Sequence, residues 1–392
     1  MKKRQWGAIL LSLSMILSIV ACGTSSGSSA SESSKASDVG ISIEPLVDDG
    51  SKTVLDIGDS LGPNGEKPEG VEAILNIISE EKKEEIRKAG YTMAVSLHNT
   101  NMDWSILQIQ GIQAVCDEFN IELLTTTDAE MKVDKQVSDL ESIIGLKPDI
   151  LLSFVLDADT IAPVLKKATD QGIILSLIDT VPAGFTAPED YAGIALGDNY
   201  MMGYSSADKL ASYLDGKGKV AMMVYTSSLF MTDARTQGAR DAFAKYPDIE
   251  IAAEQQVGGA EDAATAAENI ITANPDIQGI WTFWDTPGMG AVAAVEAAGR
   301  QKDIKVATVD LSTDSAYSIA SEDGALLCTG AQHPYDQAVA EALIGIAAKA
   351  GLEVPPYIVV PGEIVTKESM EKSWERVQKT PLPEDLANLL KQ

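Results

Sequence analysis

From Tyr91 onward, short apolar runs alternate with stretches of helical length, and this alternation is what most constrains the fold. Runs such as DILLSFV (149–155) and IILSLID (173–179) are nearly continuous in apolar residues. Such runs are typical of parallel strands that are buried on both faces. The stretches between them carry apolar residues at helical spacing. The pattern therefore predicts an α/β fold of parallel sheets that are covered by helices.

The predicted strands include a short extra one, YAGIAL (191–196), and a final one, YIVVPGEIV (357–365). The other predicted strands are YTMAVSL (91–97), IELLTTT (121–127), KVAMMVY (219–225), IEIAAEQQV (249–257), IQGIWTF (277–283), IKVATVD (304–310) and ALLCTGA (325–331). Predicted helices cover residues 71–89, 104–119, 133–145, 159–171, 200–214, 231–245, 262–273, 288–299, 313–321 and 335–350.

Two architectures fit this pattern, a single (β/α)₈ barrel or two doubly wound lobes. The chain offers more strands than a barrel needs, and the pattern restarts near residue 200, so two lobes are favoured. In either architecture, ligands bind at the carboxyl ends of the strands.

The amino-terminal residues MKKRQWGAILLSLSMILSIVAC combine a basic head with an apolar stretch that is short for a membrane-spanning helix. This is typical of an export signal. The segment 18–22, SIVAC, resembles a bacterial lipobox, which implies cleavage before Cys22 and a lipid on that residue. An uncleaved anchor with an incidental cysteine is the alternative. The Ser-rich segment that follows predicts a flexible tether through residue 40.

The chain is strongly acidic, with a formal net charge of −28. Such a charge repels phosphate backbones, so we expect no nucleic-acid partner. Cys116 and Cys328 lie in apolar contexts and are predicted to be buried free thiols rather than a disulfide framework. No CxxC, HExxH or clustered His/Cys pattern occurs, and we expect neither a bound metal nor a cofactor.

Polar and aromatic residues follow the predicted strands, where a ligand would bind. The first strand leads into SLHNTNMDW, with His98, Asn101 and Trp104. Later strand ends supply Asp179, Asn199, Arg235, Trp284, Asp310 and Gln332. Carboxylates and amides suit a ligand rich in hydroxyl groups, and an indole face can cover the C–H face of a sugar. No phosphate loop and no GxSxG motif follows any of the predicted strands, which disfavours phosphorylated ligands and acyl transfer.

In this order, several segments resemble the sugar-binding proteins of ABC importers, specifically the ribose-binding-like group with the periplasmic-binding-protein type 1 fold. The resemblance runs from about Tyr91 to Val365. The segments that carry it are TNMDWSILQIQGIQAV, QGIILSLIDTVPAG, IALGDNYMMGYSSA, DARTQGARDAF, ANPDIQGIWTFWDTPGMGAVAAVEAAG, VDLSTD and AQHPYDQAVAEA. It implies two α/β lobes joined by three crossings, with a sugar bound in the cleft between them.

The resemblance also assigns roles to six of the strand-end residues. Trp104 is similar to an aromatic wall, and Asp179 to the carboxylate that accepts hydrogen bonds from sugar hydroxyls. Asn199 is similar to an amide ligand on the hinge side. The remaining three are similar to the arginine of the second lobe (Arg235), the second cleft carboxylate (Asp310) and a glutamine at a later crossing (Gln332).

Four positions depart from the family pattern. Thr180 replaces an arginine that often follows the first carboxylate, and Trp284 and Met102 stand where asparagine is common. GGAEDAA near Gly258 lacks an expected aromatic residue. These changes point away from ribose, toward another pentose, a hexose or a linear polyol. His98 and His333 are interpreted as neutral imidazoles that donate hydrogen bonds, although both could face the same cleft.

We therefore predict an exported, lipid-anchored monomeric receptor that binds a sugar or polyol and delivers it to the permease of an ABC importer, without catalysis. A tethered glycoside hydrolase on a (β/α)₈ barrel and a ligand sensor for a membrane partner are the alternatives. The predicted ranges are 1–21 for the signal and 22–40 for the tether. They continue with 41–90 for a lead-in segment, 91–198 and 333–361 for the first lobe, and 199–332 and 362–392 for the second. Within the lead-in, residues 41–70 are expected to be irregular.

Overall fold

The computed structural model describes residues 53–392. The predicted signal, the tether, Cys22 and the first part of the lead-in lie outside the described residues. The strands are β1 (Glu69–Gly70), β2 (Thr92–Leu97), β3 (Glu122–Asp128), β4 (Ile150–Phe154), β5 (Ile174–Ile178), β6 (Ile194–Gly197), β7 (Lys217–Tyr225), β8 (Asp248–Val257), β9 (Ile277–Thr282), β10 (Lys305–Val309), β11 (Leu326–Ala331), β12 (Tyr357–Val360) and β13 (Glu363–Val365).

The helices alternate with these strands, as the apolar pattern predicted. They are α1 (Glu72–Leu75), α2 (Glu80–Ala89), α3 (Asp103–Phe119), α4 (Val133–Leu146), α5 (Ala158–Thr169), α6 (Asn199–Tyr213), α7 (Phe230–Ala244), α8 (Ala260–Ala273), α9 (Asp285–Ala297), α10 (Thr313–Ala320), α11 (Pro334–Lys349), α12 (Met370–Gln378) and α13 (Glu384–Leu389).

The strands form two separate sheets, which confirms two lobes and excludes the single barrel. The first sheet has the order β1-β12-β6-β5-β4-β2-β3, and all its pairings are parallel. The second has the order β13-β11-β10-β9-β7-β8, parallel except for the β11–β13 pair. Each sheet packs against helices around its own apolar core. Cys116 and Cys328 are buried free thiols.

From β2 onward the chain passes between the lobes three times, after β6, after β11 and after β12. The prediction of one strand over residues 357–365 is wrong, because β12 joins the first sheet and β13 the second. Pro361 lies between them and cannot donate a ladder hydrogen bond, so the run is interrupted there. The helices α12 and α13 were not predicted, and their apolar residues join the core of the second lobe.

The lead-in segment contacts both lobes beside these crossings. The Ile364 N–H donates to the Thr53 carbonyl (2.7 Å), and Val54 bridges to Glu363 of the second sheet. Further along, the Gly58 N–H donates to Asp198 Oδ2 (2.7 Å), and β1 then pairs with β12 at the edge of the first sheet. The segment is therefore a strap across the hinge, where we had predicted only an irregular lead-in.

The single helix predicted over residues 71–89 is also wrong, since two helices occupy this range. Ser79 separates them with an extended backbone (φ −63°, ψ 159°), and its hydroxyl accepts a hydrogen bond from the Lys82 N–H. This is N-cap geometry, which starts a new helix at the next residue.

Two glycines bring α6 and α7 close together beside the hinge. A Cβ on Gly203 would lie 2.0 Å from the Arg235 carbonyl oxygen, and one on Gly238 would lie 2.2 Å from the Tyr200 carbonyl oxygen. Only a residue without a Cβ permits this approach. The contact holds Arg235 against the start of α6.

A fully buried acid, Glu341, lies on α11 behind the first sheet. Burial raises its pKa well above the usual value, and the negative charge of nearby Asp179 acts in the same direction. The neighbouring Gln108 amide partly opposes this shift. Glu341 is therefore protonated in the folded protein at pH values where the unfolded chain has lost the proton.

We expect Asp198→Ala to destabilise the protein more than Asp157→Ala does. Both aspartates cap a helix, α6 and α5 respectively, and loss of a cap costs about 0.5–2 kcal/mol. Asp198 also accepts the Gly58 N–H of the strap, and an unmade bond at a buried group adds about 1–3 kcal/mol. Urea unfolding of both variants measures the difference. Equal losses would show that the strap contact contributes nothing.

Glu341→Gln should weaken the pH dependence of stability. The pKa of Glu341 is higher in the folded protein than in the unfolded chain. Its contribution to stability is therefore fully present below pH 4.5, the ordinary pKa of glutamate, and is lost as pH rises through the pKa of the folded state. The wild-type melting temperature should therefore fall more steeply between pH 5 and 8 than that of the glutamine variant. Asp262→Asn, on the exposed first turn of α8, serves as the control and should follow the wild type. Parallel profiles for the wild type and Glu341→Gln would contradict this account.

Candidate functional site

A cavity of about 400 Å³ lies between the lobes, at the carboxyl ends of strands from both sheets. The structure places eight of the nine predicted ligand residues on its wall. These are His98, Asn101, Trp104, Asp179, Arg235, Trp284, Asp310 and Gln332. Parallel strands that end at the same sheet edge bring these side chains together from distant parts of the sequence.

Two of the cavity aspartates have left-handed backbone conformations directly after a strand. Asp179 follows β5 with φ +57°, and Asp310 follows β10 with φ +74°. Asparagine and aspartate tolerate this region better than most residues, and non-glycine residues in it are concentrated at functional sites. In both cases the left-handed conformation turns the chain directly after the strand, at the edge of the cavity.

The carboxylate of Asp179 is buried, and no hydrogen-bond donor among the described residues contacts it. Burial raises its pKa to about 7, with a further increase from the charge of Asp310 and an opposing effect of Arg235. Burying a carboxyl group without a hydrogen-bond donor costs free energy. Donors on a ligand would satisfy it.

Arg235 holds the opposite wall together through a network of short contacts. Its Nη1 and Nη2 donate to the two Asp310 oxygens (3.0 and 3.3 Å), and Nη1 also donates to the Phe283 carbonyl (3.1 Å). Its Nε donates to Asn199 Oδ1 (2.8 Å). Gln332 Nε2 donates to Asp310 Oδ1 (2.6 Å). The network fixes the planar guanidinium and the Asp310 carboxylate in one orientation.

Asn199 is the predicted ligand residue that does not line the cavity. Its side chain is buried at the start of α6, where the Oδ1 atom accepts from Arg235 and Nδ2 donates to the Gly197 carbonyl (3.1 Å). Both the oxygen and the nitrogen of the amide therefore have partners within the protein. The predicted role as a ligand is therefore corrected to one of positioning Arg235.

Aromatic rings from both lobes cover other parts of the wall. In the first lobe, the His98 ring lies 5.4 Å from the Trp104 ring and 4.2 Å from Phe154. In the second lobe, Trp284 lies edge-on to Phe283 at 4.4 Å and 5.0 Å from Tyr225. The indole of Trp104 has a buried Nε1 without a partner among the described residues.

The two histidines have different positions. His98 lines the cavity, and burial lowers its pKa to about 4, so the imidazole is neutral at pH 7. His333 is fully buried near the hinge, with Nδ1 3.7 Å from Asp336 and Nε2 3.8 Å from Glu363. Burial and two neighbouring cations lower its pKa to about 3. The expectation that both histidines could face one cleft is wrong for His333.

Asp285 is a cavity residue that our site prediction missed. Trp284 occupies the N-cap position of α9, and Asp285 is the first residue of that helix. Its side chain lines the cavity, and burial together with the charge of Asp310 raises its pKa to about 6. Its place directly after a strand was the available signal.

The two lobes touch through Asp103 of α3. Its Oδ2 accepts from the Thr313 N–H and Oγ1 at the start of α10 (2.7 and 2.9 Å). Negative charge is favourable at a helix N-terminus. Both residues also line the cavity, so the contact joins its two walls.

Within residues 53–392, no group of three or more His, Cys, Asp or Glu side chains is arranged to hold a metal ion. No helix in the same range is long and apolar enough to cross a bilayer. The site therefore consists of carboxylates, one fixed arginine, amides and aromatic rings.

Comparison with known proteins agrees with this architecture. Residues 93–351 match the periplasmic binding protein domain. A xylitol-binding protein of Mycolicibacterium smegmatis is 27% identical over 273 residues, 68% of this chain and 75% of the relative. The ribose import binding protein of Bacillus subtilis is 25% identical over 248 residues, 63% of this chain and 78% of the relative.

A similar solved structure is an ABC transporter periplasmic solute-binding protein from Actinobacillus succinogenes with bound D-allose. It superposes with a TM-score of 0.65 at 27% identity, over 72% of this chain and 99% of that one. The family match covers most of the two lobes, including the strands that end at the cavity. The chain belongs to the periplasmic binding protein domain family.

Proposed function

We propose that this protein is the solute-binding receptor of an ABC importer, and that it captures a sugar or polyol in the cavity between its lobes. The observation that carries this proposal is the buried, donor-free carboxylate of Asp179 on a wall that also presents indole rings. Hydroxyl groups donate to carboxylates, while indole faces cover the C–H surface of a sugar. Membership in the periplasmic binding protein family also makes the protein an exported one.

The relatives support this ligand class. The proteins reported above are named for xylitol, a polyol, and for ribose, and the similar structure holds D-allose. Four side chains are proposed as direct contacts: Asp179 and Asp310 as acceptors, and Trp104 and Trp284 as stacking surfaces. His98, Asn101, Arg235 and Gln332 complete the polar wall.

Binding works through closure of the lobes rather than through bond chemistry. A ligand that contacts both walls stabilises the closed arrangement relative to the open one. The Asp103–Thr313 contact adds to that stabilisation because it joins the lobes directly. The closed form is the state that a permease would recognise, and we propose that the receptor acts as a monomer.

Anchoring is a separate part of the proposal. The basic head, the apolar stretch and the SIVAC segment support removal of a signal before Cys22 and attachment of a lipid to that residue. The Ser-rich segment would then tether the two lobes to the outer face of the membrane. A lipid with a flexible tether keeps the receptor close to its permease.

We expect a compound rich in hydroxyl groups to raise the melting temperature by several degrees. Saturation at one hundred times Kd adds about 2.7 kcal/mol of stability. A thermal-shift panel of pentoses, hexoses and polyols, with their amino derivatives, identifies it. Asp179→Asn should weaken binding about tenfold or more, whereas Asp262→Asn on the exposed start of α8 should not. If no compound in the panel shifts the wild type, the receptor function is contradicted.

Cys22→Ala should move the protein from the membrane fraction to the medium or the periplasmic fraction, or leave it unprocessed. Without the thiol no lipid can be attached at this position. Membrane fractionation and intact mass measure the effect, and Cys116→Ala is the control because that thiol is buried in the first lobe. Equal membrane association of the wild type and Cys22→Ala would refute anchoring through this residue.

A further inference from the structure

We propose that the natural ligand carries a protonated amine in addition to hydroxyl groups, so that it is an amino sugar or an amino polyol. This inference rests on the receptor function proposed above and names the ligand class of the same cavity. It follows from the balance of charge on the cavity wall, from two buried carboxylates and from the aromatic surfaces beside them.

Carboxylates outnumber cations on this wall. The acidic lining residues are Asp103, Asp179, Asp285, Asp310 and Asp314. Among the described lining residues, Arg235 is the one with a permanent positive charge. His98 does not add to it, because its buried imidazole is neutral at pH 7. A ligand that enters this cavity therefore meets a strongly negative surface.

The positive charge of Arg235 is already paired with a carboxylate of the protein. Its guanidinium donates to both oxygens of Asp310, to the Phe283 carbonyl and to Asn199. This pair is nearly neutral as a unit, and the arginine has little capacity left for another partner. Asp179 and Asp285 remain as the buried carboxylates without a cation bonded to them.

Asp285 has the surroundings that most favour a bound cation. It is 7% exposed, and no described lysine or arginine forms an ion pair with it. The nearby charges that act on it, Asp310 and Asp103, are both negative. Hydrogen bonds from the Ser312 hydroxyl and the Thr286 backbone N–H partly oppose the rise in its pKa. The Thr286 hydroxyl adds a weak contact at 3.4 Å, and the N-terminus of α9 supplies only a partial positive charge. These neutral donors leave Asp285 without a full positive charge beside it, so a cationic ligand group would stabilise its ionised form.

Asp179 provides an independent sign that a donor-rich ligand fills the cavity. It is 5% exposed, it lines the same space, and none of the described residues donates a hydrogen bond to it. Arg235 lowers the pKa of Asp179, whereas the charged groups with the largest effect on Asp285, Asp310 and Asp103, are negative. We therefore place ligand hydroxyls at Asp179 and the amine at Asp285.

The aromatic rings favour the same kind of ligand. Trp284 directly precedes Asp285 and lines the cavity together with Tyr225. A cation within about 6 Å of an aromatic ring is attracted by its face, most strongly by an indole. The acidic side chains do not converge closely enough to hold a metal ion among the described residues. An organic ammonium group on a hydroxylated frame fits this combination.

The test compares ligands that differ only in the amine. Calorimetric titrations at pH 7 use D-glucosamine with D-glucose, D-galactosamine with D-galactose, and 1-amino-1-deoxy-D-sorbitol with D-sorbitol. In at least one pair the amine should bind about tenfold more tightly or better, the range measured for close charge pairs. Asp285→Asn should abolish this preference, so that the two members of a pair bind the variant with similar affinity. Asp262→Asn, an exposed helix-start aspartate outside the cavity, should retain it.

A second measurement avoids any dependence on the folding of the variant. Because protonation removes the charge of Asp285, wild-type affinity for the amine should fall as pH is lowered from 7 to 5, more than affinity for the neutral partner. Equal or weaker binding of the amine in every pair that binds overturns the inference and leaves the receptor function intact. Binding of no member of any pair overturns both.

Discussion

The buried Arg235 side chain is the interaction on which the cavity depends. It is 2% exposed, and it joins the start of α6, the end of β9 and the Asp310 carboxylate through its three nitrogens. Removing one partner of such a buried pair costs about 3–5 kcal/mol, because the other charge is left without compensation. The arginine can occupy this position only because Gly203 and Gly238 let α6 and α7 approach so closely.

This arrangement divides the carboxylates of the cavity into two kinds. Asp310 is fixed and neutralised by the arginine, and Gln332 donates a further hydrogen bond to it. Asp179 and Asp285 are buried without such partners, so their surroundings raise the pKa of both. A cavity that keeps two destabilised carboxyl groups gains stability when a ligand supplies donors or charge. Lobe closure is thereby linked to ligand chemistry, since both walls contribute acceptors.

The strand-end rule predicted most of this site from the sequence. A residue such as Asp179 directly follows an apolar run, and parallel strands bring such positions to one edge regardless of their separation in the chain. The rule could not reveal which side chains are consumed inside the protein. Asn199 satisfies the rule, yet its amide oxygen accepts a hydrogen bond from Arg235 and does not line the cavity. Asp285 also lies close to a strand end but was not among the predicted ligand residues, because an aspartate at the start of a helix can equally be a helix cap.

The lead-in segment was harder to predict, because its contacts are with residues far away in the chain. Strand β1 has only two residues, which is too short to show the alternation of apolar and polar residues that marks a strand. Gly58 makes its contact through the backbone N–H, which every residue except proline carries, so the sequence gives no sign of it.

The hinge joins this strap to the ligand site through two consecutive residues. Asp198 accepts the Gly58 N–H of the strap and caps α6, while the next residue, Asn199, orients Arg235. A change in the crossing after β6 must therefore move the strap contact and the arginine together. The strap also pairs with both β12 and β13, so it contacts one strand of each sheet beside the crossing that joins them. The strap, the crossing after β6 and the ligand-site arginine therefore form one connected set of contacts beside the hinge.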